Sequence, residues 1–388
     1  MRFDLRLVLP LVLFFACTSP TTVQTPSMIP TDAPTALASA TPSTQSSSAL
    51  ASALPISNPA TVLSAVHFAD AAHGWLGLEA GLLGTLDGGS TWSHEIASQQ
   101  IARIWSFDPK TAWALAADDT VYRTNDGVQW SAIPPTTPPI TDIQFVSPLV
   151  GWAIAVPHGT DPAGFPNTTG TLLGSTDGGL VWRPVGTRSI RSVCFADAQK
   201  GWGAYGRHVF KTYDGGGTWT TVFDVPLPSE DWFPRLACDG MHSARLVLTG
   251  FGAALSHAPY VVYRTANAGS SWTLEFGEHY TLDQLIPREL PEFGSYPPAI
   301  GSLAHGETWL ISCSPPTDMQ PFVILDPAGA TLSRGEIPAS GCARDAQLLT
   351  AKSAVAIVTR HAGGGSTHLI ATDDGGITWR DLYPKETP

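Results

Sequence analysis

Charge is scarce in this chain of 388 residues: Asp, Glu, Lys and Arg together make up 14%. Long solvated helices and coiled coils need a densely charged face, so this composition excludes them. Basic residues are fewer still, 21 against 33 acidic, for a formal charge of −12. Tight non-specific binding to nucleic-acid phosphate is excluded on that ground. No run of 18 apolar residues occurs, so no segment reads as a membrane-spanning helix. The 11 histidines are scattered without the His-x-x-x-His or His-Glu-x-x-His spacing of zinc sites, and no Gly-x-Ser-x-Gly nucleophile elbow occurs. Neither metal nor cofactor is expected. What the chain has instead is 37 Gly, 33 Pro and 13 Trp within 43% hydrophobic residues, the composition of many short strands joined by tight turns.

The N-terminus reads as an address. Two Arg in Met1–Arg6 precede the short apolar run Leu7–Ala16, a signal-peptide core too short to cross a bilayer. It ends in Leu13-Phe14-Phe15-Ala16-Cys17, which resembles a bacterial lipobox and implies lipidation of Cys17 after cleavage. Phe14 departs from the usual Leu, and plain secretion is the alternative. Residues 18–58 are Ser, Thr, Pro and Ala with almost no charge or aromatic side chain, a composition unable to offset ordering entropy, and are expected to form a disordered tether. The expected location is the outer face of the bacterial cell membrane or the periplasm, with membrane contact through lipid alone.

After residue 58 one phrase recurs: an alternating apolar segment, Gly-Trp, a short strand, then Asp-Gly-Gly-x-x-Trp. It appears as Val66-His67-Phe68, Gly74-Trp75, Asp87-Gly88-Gly89 and Trp92. It returns as Ile143-Gln144-Phe145, Gly151-Trp152, Asp177 and Trp182, and as Val193-Cys194-Phe195, Gly201-Trp202, Asp214 and Trp219. Shortened or decayed copies carry Trp113, Asp126 and Trp130; Asn267 and Trp272; and Trp309 with Asp326, and the seventh unit ends with the full box Asp374-Gly375-Gly376-Ile377-Thr378-Trp379. Seven units of about 46 residues fill the chain to residue 384, the length of a four-stranded blade. The fold class expected is all-β: a seven-bladed propeller of four-stranded antiparallel blades. Its blades are expected near 61–98, 99–137, 138–187, 188–228, 229–282, 283–339 and 340–384. In each box the Asp accepts turn hydrogen bonds, the glycines allow positive φ and the Trp packs the turn on its sheet, so the role is structural.

The box resembles the Asp-box, or bacterial neuraminidase repeat. The longer phrase is most similar to the photosystem II assembly/stability factor family of seven-bladed propellers, over about residues 60–384. That resemblance implies a non-enzymatic, membrane-tethered scaffold that binds a protein or assembly intermediate, most simply as a monomer. Sialidases share the box and imply the alternative, an extracellular glycoside hydrolase or carbohydrate-binding protein. Their Arg-Ile-Pro or Arg-Leu-Pro signature is missing; the nearest strings are Pro234-Arg235-Leu236 and Pro287-Arg288-Glu289, both in the second half of the chain. No catalytic residue is therefore expected.

With Cys17 assigned to lipid, four cysteines remain in an exported chain, and an even set suggests two disulfides among three connectivities. Neighbours in the blade order are favoured, Cys194 with Cys238 and Cys313 with Cys342; buried free thiols are the alternative.

Let the strands of a blade be A to D from the centre outward. Up-and-down connectivity places the D–A and B–C loops on one face, the A–B loops and C–D boxes on the other. The long insertions, 157–170, 226–235, 252–259, 278–299, 314–321 and 361–366, all fall on the D–A/B–C face, which is expected to be the binding face. Trp232, outside both repeat positions, is expected as an exposed loop anchor with Arg235 beside it. Arg103, Arg188 and Arg191 stand in the equivalent loops of other blades.

Overall fold

A computed structural model describes residues 62–133, 139–157, 170–227, 231–250, 259–278, 296–302, 307–313, 318–360 and 366–384. These residues form 28 strands in seven four-stranded antiparallel sheets, each sheet built from four strands consecutive in sequence. No helix occurs among the described residues. The A strands are Leu63–Phe68, Ile101–Ser106, Ile140–Phe145, Ser192–Phe195, Trp232–Asp239, Tyr296–Ser302 and Asp345–Leu348. The ring closes between blades seven and one. There the Val66 amide donates to Asp345 Oδ2 (2.9 Å) and the Leu63 amide to Thr367 Oγ1 (2.8 Å).

Burial follows strand position. The B strands Gly74–Leu78, Ala112–Ala116 and Gly151–Ala155 are buried at every residue, whereas the D strand Ser93–Ala97 buries only Ile96. A strand covered on both faces by neighbouring blades reads as a continuous apolar run, and the outermost strand does not. The glycine before Trp75, Trp152 and Trp202 is required by close packing. A Cβ on Gly74 would meet the Phe68 ring at 2.5 Å, and one on Gly151 the Phe145 ring at 2.3 Å.

Strand pairing aligns one position in all seven B strands, that of Trp75 in the first. It is Trp75, Trp113, Trp152, Trp202, Arg245, Trp309 and Val355, opposite His67, Trp105, Gln144, Cys194, Ala237, Gly301 and Gln347 respectively. Each of the first six reaches towards the next blade. Trp113 stacks on Phe145 at 3.6 Å and donates Nε1–H to the Gly178 carbonyl (2.9 Å). Trp152 does the same with Phe195 at 3.5 Å and the Gly215 carbonyl (2.8 Å). Trp202 donates to the Gly240 carbonyl, while Lys211, over its ring at 4.1 Å, takes the Ala268 carbonyl at 2.7 Å.

The C–D turns are built alike. In the fourth blade Thr212 Oγ1 donates to Asp214 Oδ1 and accepts from the Gly216 amide; Thr218 donates through its amide and its hydroxyl to Asp214. Asp87 and Asp374 make the equivalent bonds, Asp177 lacks the hydroxyl bond because Val181 replaces the threonine, Asp126 makes a shortened set, and Asn267 stands in for the carboxylate in blade five. The bonds from Thr378 and Thr372 draw the Asp374 carboxyl down to about 2.

Candidate binding site in the central channel

The A strands point alternate side chains into the axis of the ring. There they wall a cavity of about 540 Å³ and an adjoining one of about 420 Å³ towards the D–A ends of the strands. The two halves of this channel differ in chemistry.

Near the A–B ends lies a tier of links between neighbouring blades. His67 of blade one hydrogen-bonds the backbone of Ser106 in blade two, and its ring packs at 5.2 Å on Trp105. Gln144 of blade three accepts from the Phe195 amide (2.8 Å) and donates to the Phe195 carbonyl (3.2 Å). Gln347 of blade seven holds Phe68 of blade one in the same two-way fashion, at 2.7 and 2.9 Å. Cys194 of blade four is joined to Cys238 of blade five by a disulfide. Each link runs from the residue opposite the B-strand Trp row to a residue one step further along the next A strand. Cys194 and Cys238 obey that stagger: Cys194 pairs with Trp202, and Cys238 with Ala244, one row beyond Arg245. Burial lowers the His67 pKa to about 4, so the ring is neutral at neutral pH. Cys342 is disulfide-bonded as well, and the side chain of Cys313 lies outside the described residues.

Towards the D–A ends the lining is ionic. Arg103 and Asp142 approach to 3.9 Å, and Arg191 donates to Thr141 Oγ1 at 3.4 Å. Arg235, Arg344, Asp345 and Asp119 line the same end. Arg235 keeps solvent-facing surface, yet the channel walls enclose it. That burial, with the like charge of Arg103, lowers its pKa, while Asp142 and Asp345 counter the shift. Arg191 is lowered by burial, with Asp142 opposing and Arg103 adding to the effect. Burial raises Asp345 despite the Val66 amide and the two arginines. Four guanidinium groups thus face three carboxylates, one of them pushed towards its neutral form, in a chain whose overall charge is negative.

Of the residues expected to bind, the structure brings Arg103, Arg191 and Arg235 together and leaves two apart. Trp232 is not an exposed loop anchor. It opens the A strand of blade five and is 4% exposed, packed among Val225, Leu227 and Leu248 and against Gly250. Pro234 is compatible with this strand, because an A strand is the edge of its sheet, where a missing amide costs no ladder bond. Arg188 lies over the Phe210 ring at 4.4 Å, and Phe210 belongs to strand C, two strands out from the channel. Within the long insertions, residues 158–169, 228–230, 252–258, 279–295, 314–317 and 361–365 lie outside the described residues. Asp142, Asp345, Gln144, Gln347 and His67 escaped sequence reasoning. A signal for three of the inter-blade links was present: Val-His-Phe, Ile-Gln-Phe and Val-Cys-Phe each set one polar or sulfur side chain between apolar ones in an inner strand.

No family model and no curated protein matches the chain. Solved structures do resemble it. YCF48 bound to D1 peptide is 16% identical with a TM-score of 0.50, over 81% of this chain and 93% of that one. An ancestral GH74 enzyme is 14% identical with a TM-score of 0.53, over 85% of this chain and 48% of that one. PorZ of Porphyromonas gingivalis, a bacterial surface component of the type-IX secretion system, is 10% identical with a TM-score of 0.52, over 84% and 39%. The fold is a seven-bladed β-propeller. At these identities the likeness establishes the fold and leaves activity to the site itself.

Proposed function

We propose that this propeller is an exported, membrane-tethered scaffold that binds an acidic segment of a protein partner at the D–A end of its channel. The convergence of Arg103, Arg191 and Arg235 with Arg344 there carries the proposal. Enclosed guanidinium groups, partly stripped of water and only partly matched by carboxylates, are suited to bidentate pairing with peptide carboxylates. YCF48 was solved with a peptide bound, which supports a peptide as the ligand class for this fold. The Cys17 lipid and the 18–58 tether would hold the ring outside the membrane, similar to the photosystem II assembly factors in arrangement.

The test is co-purification from the native host, comparing wild type with Arg103→Ala/Arg235→Ala. The variant is expected to lose a specific partner while its melting temperature stays unchanged, and partner retention by wild type should fall as salt rises. A folded double variant that retains every partner of the wild type overturns the assignment. For the anchor, Cys17→Ser should release the protein from membranes or block its processing. Wild type that is fully soluble after export would refute it.

One observation favours a second function, glycoside hydrolysis. Asp345 is pushed towards its neutral form beside ionised arginines, as a general acid would need, and GH74 enzymes are among the structural neighbours. Loss of glycoside hydrolysis in Asp345→Asn, against measurable turnover by wild type, would support it.

A further inference from the structure

Six of the seven blade junctions are filled by the long side chain of the aligned B-strand position, and the seventh is not. At the closing junction, from blade seven to blade one, that position is Val355, opposite Gln347 and Ala371. A cavity of about 230 Å³ stands there, lined by Val355, Phe68, Gly88, Leu349, Ala371 and Leu382. Its remaining lining residues include Asp70 and Ala71 of an A–B loop and Asp373 and Arg380 at a C–D turn. It therefore opens on the face opposite the long insertions, away from the site proposed above.

The occupied junctions show what such a space accepts. Phe68 precedes the blade-one turn as Phe145 and Phe195 precede theirs: each pairs with the glycine of its own B strand, Gly74, Gly151 and Gly201. Phe145 and Phe195 carry an indole flat against the ring, at 4° and 1° between planes. Those indoles donate to Gly178 and Gly215, the first glycine of the next blade's Asp-Gly-Gly turn, and Gly88 is the first glycine of Asp87-Gly88-Gly89. Val355 has no donor to offer that carbonyl, and its isopropyl group is far smaller than an indole.

We propose that the cleft between blades seven and one is a binding site for an indole ring supplied from outside the chain, as a partner's tryptophan or as a small indole. The ring would lie against Phe68 and donate N–H to the Gly88 carbonyl, with Leu382 and Ala371 as the opposite wall. All 13 tryptophans of this chain belong to described residues, so none of the remaining segments can supply the ring.

The test follows the methyl NMR signals of Val355 and Leu382 in the whole chain during titration with indole, 1-methylindole and N-acetyl-tryptophanamide. Indole should shift both sets of methyls saturably. 1-Methylindole, which cannot donate, should bind about three- to tenfold more weakly, the worth of one hydrogen bond. N-Acetyl-tryptophanamide binding at least as tightly as indole identifies a protein's tryptophan as the occupant; binding of indole alone identifies a small molecule. Val355→Trp should fill the cleft from within, abolish binding of every probe and raise the melting temperature. Val355→Phe serves the same purpose if the larger variant does not fold. The proposal fails if neither indole nor the amide shifts these methyls up to its solubility limit. It fails equally if 1-methylindole binds as tightly as indole, or if a folded cleft-filling variant still binds the probes at these methyls.

Discussion

Between blades three and four an indole does the joining: Trp152 stacks on Phe195 and donates to the Gly215 carbonyl. Between blades five and six the same register position holds a guanidinium. Arg245 is 3% exposed, donates to Thr308 Oγ1 and the Asp326 carbonyl, and is neutralised by Glu275 at 2.9 Å, which Arg264 also contacts at 2.9 Å. Both side chains span one gap and satisfy a carbonyl of the next blade. The indole brings its own apolar surface and a neutral donor, so it needs nothing else. The guanidinium is acceptable in a dry junction only while Glu275 accompanies it, so one substitution has become a three-residue cluster.

The sharpest way to break this comparison is Glu275→Ala. It leaves Arg245 buried without a counter-ion and should cost about 3–5 kcal/mol in urea unfolding, whereas Glu95→Ala, on an outer strand, should cost well under 1 kcal/mol. Adding Arg245→Met to Glu275→Leu should recover roughly 2 kcal/mol of the loss in Glu275→Leu alone, because the stranded charge is gone. On the indole side, Trp152→Phe keeps a ring against Phe195 but loses the bond to Gly215, for about 1–2 kcal/mol. A similar result from all these variants would show that the two junctions are equivalent in kind.

The turns permit a finer version. Asp214 holds a complete set of turn bonds, while Asp326 in the decayed sixth box accepts from the Ala330 amide. Asp214→Ala should cost about 1–2 kcal/mol and Asp326→Ala roughly half that, both read from thermal melts. The intact boxes have depressed carboxyl pKa values, so their contribution is complete above about pH 4 and is lost as pH falls through the depressed values, about 2 at Asp374. His67 acts at milder acidity. Its folded value of about 4 lies below the ordinary 6.5, so the unfolded chain takes up the proton first and stability falls from pH 6.5 down to 4. His67→Gln installs the residue found at positions 144 and 347 and should flatten that part of the stability profile.

The seven-bladed fold was legible because its signals are local: Gly-Trp and Asp-Gly-Gly mark a strand and a turn that each stabilise themselves. Blade five shows where local signals end. Ala244-Arg245 replaces Gly-Trp, and nothing near Arg245 in sequence announces Glu275, thirty residues on, as its counter-ion. The candidate site was legible only in part for the same reason. Arg103, Arg191, Arg235 and Arg344 belong to four blades and meet because inner strands converge on an axis, a relation no spacing encodes. Trp232 misled because exposure was inferred from its place outside the repeat, while the inner strand of blade five starts at Trp232, within the stretch expected to be an insertion.

Each of the seven sheets is complete within its own stretch of chain, and blades seven and one meet through Gln347, Asp345 and Thr367 rather than by sharing a strand. The path from Tyr383 to Leu63 is then topologically one more D-to-A passage, like the one that residues 98–100 make between blades one and two. A circular permutant with residues 384 and 62 joined by a short linker and new ends cut between Ala97 and Ile101 should fold to the same ring, because no sheet would lose a strand.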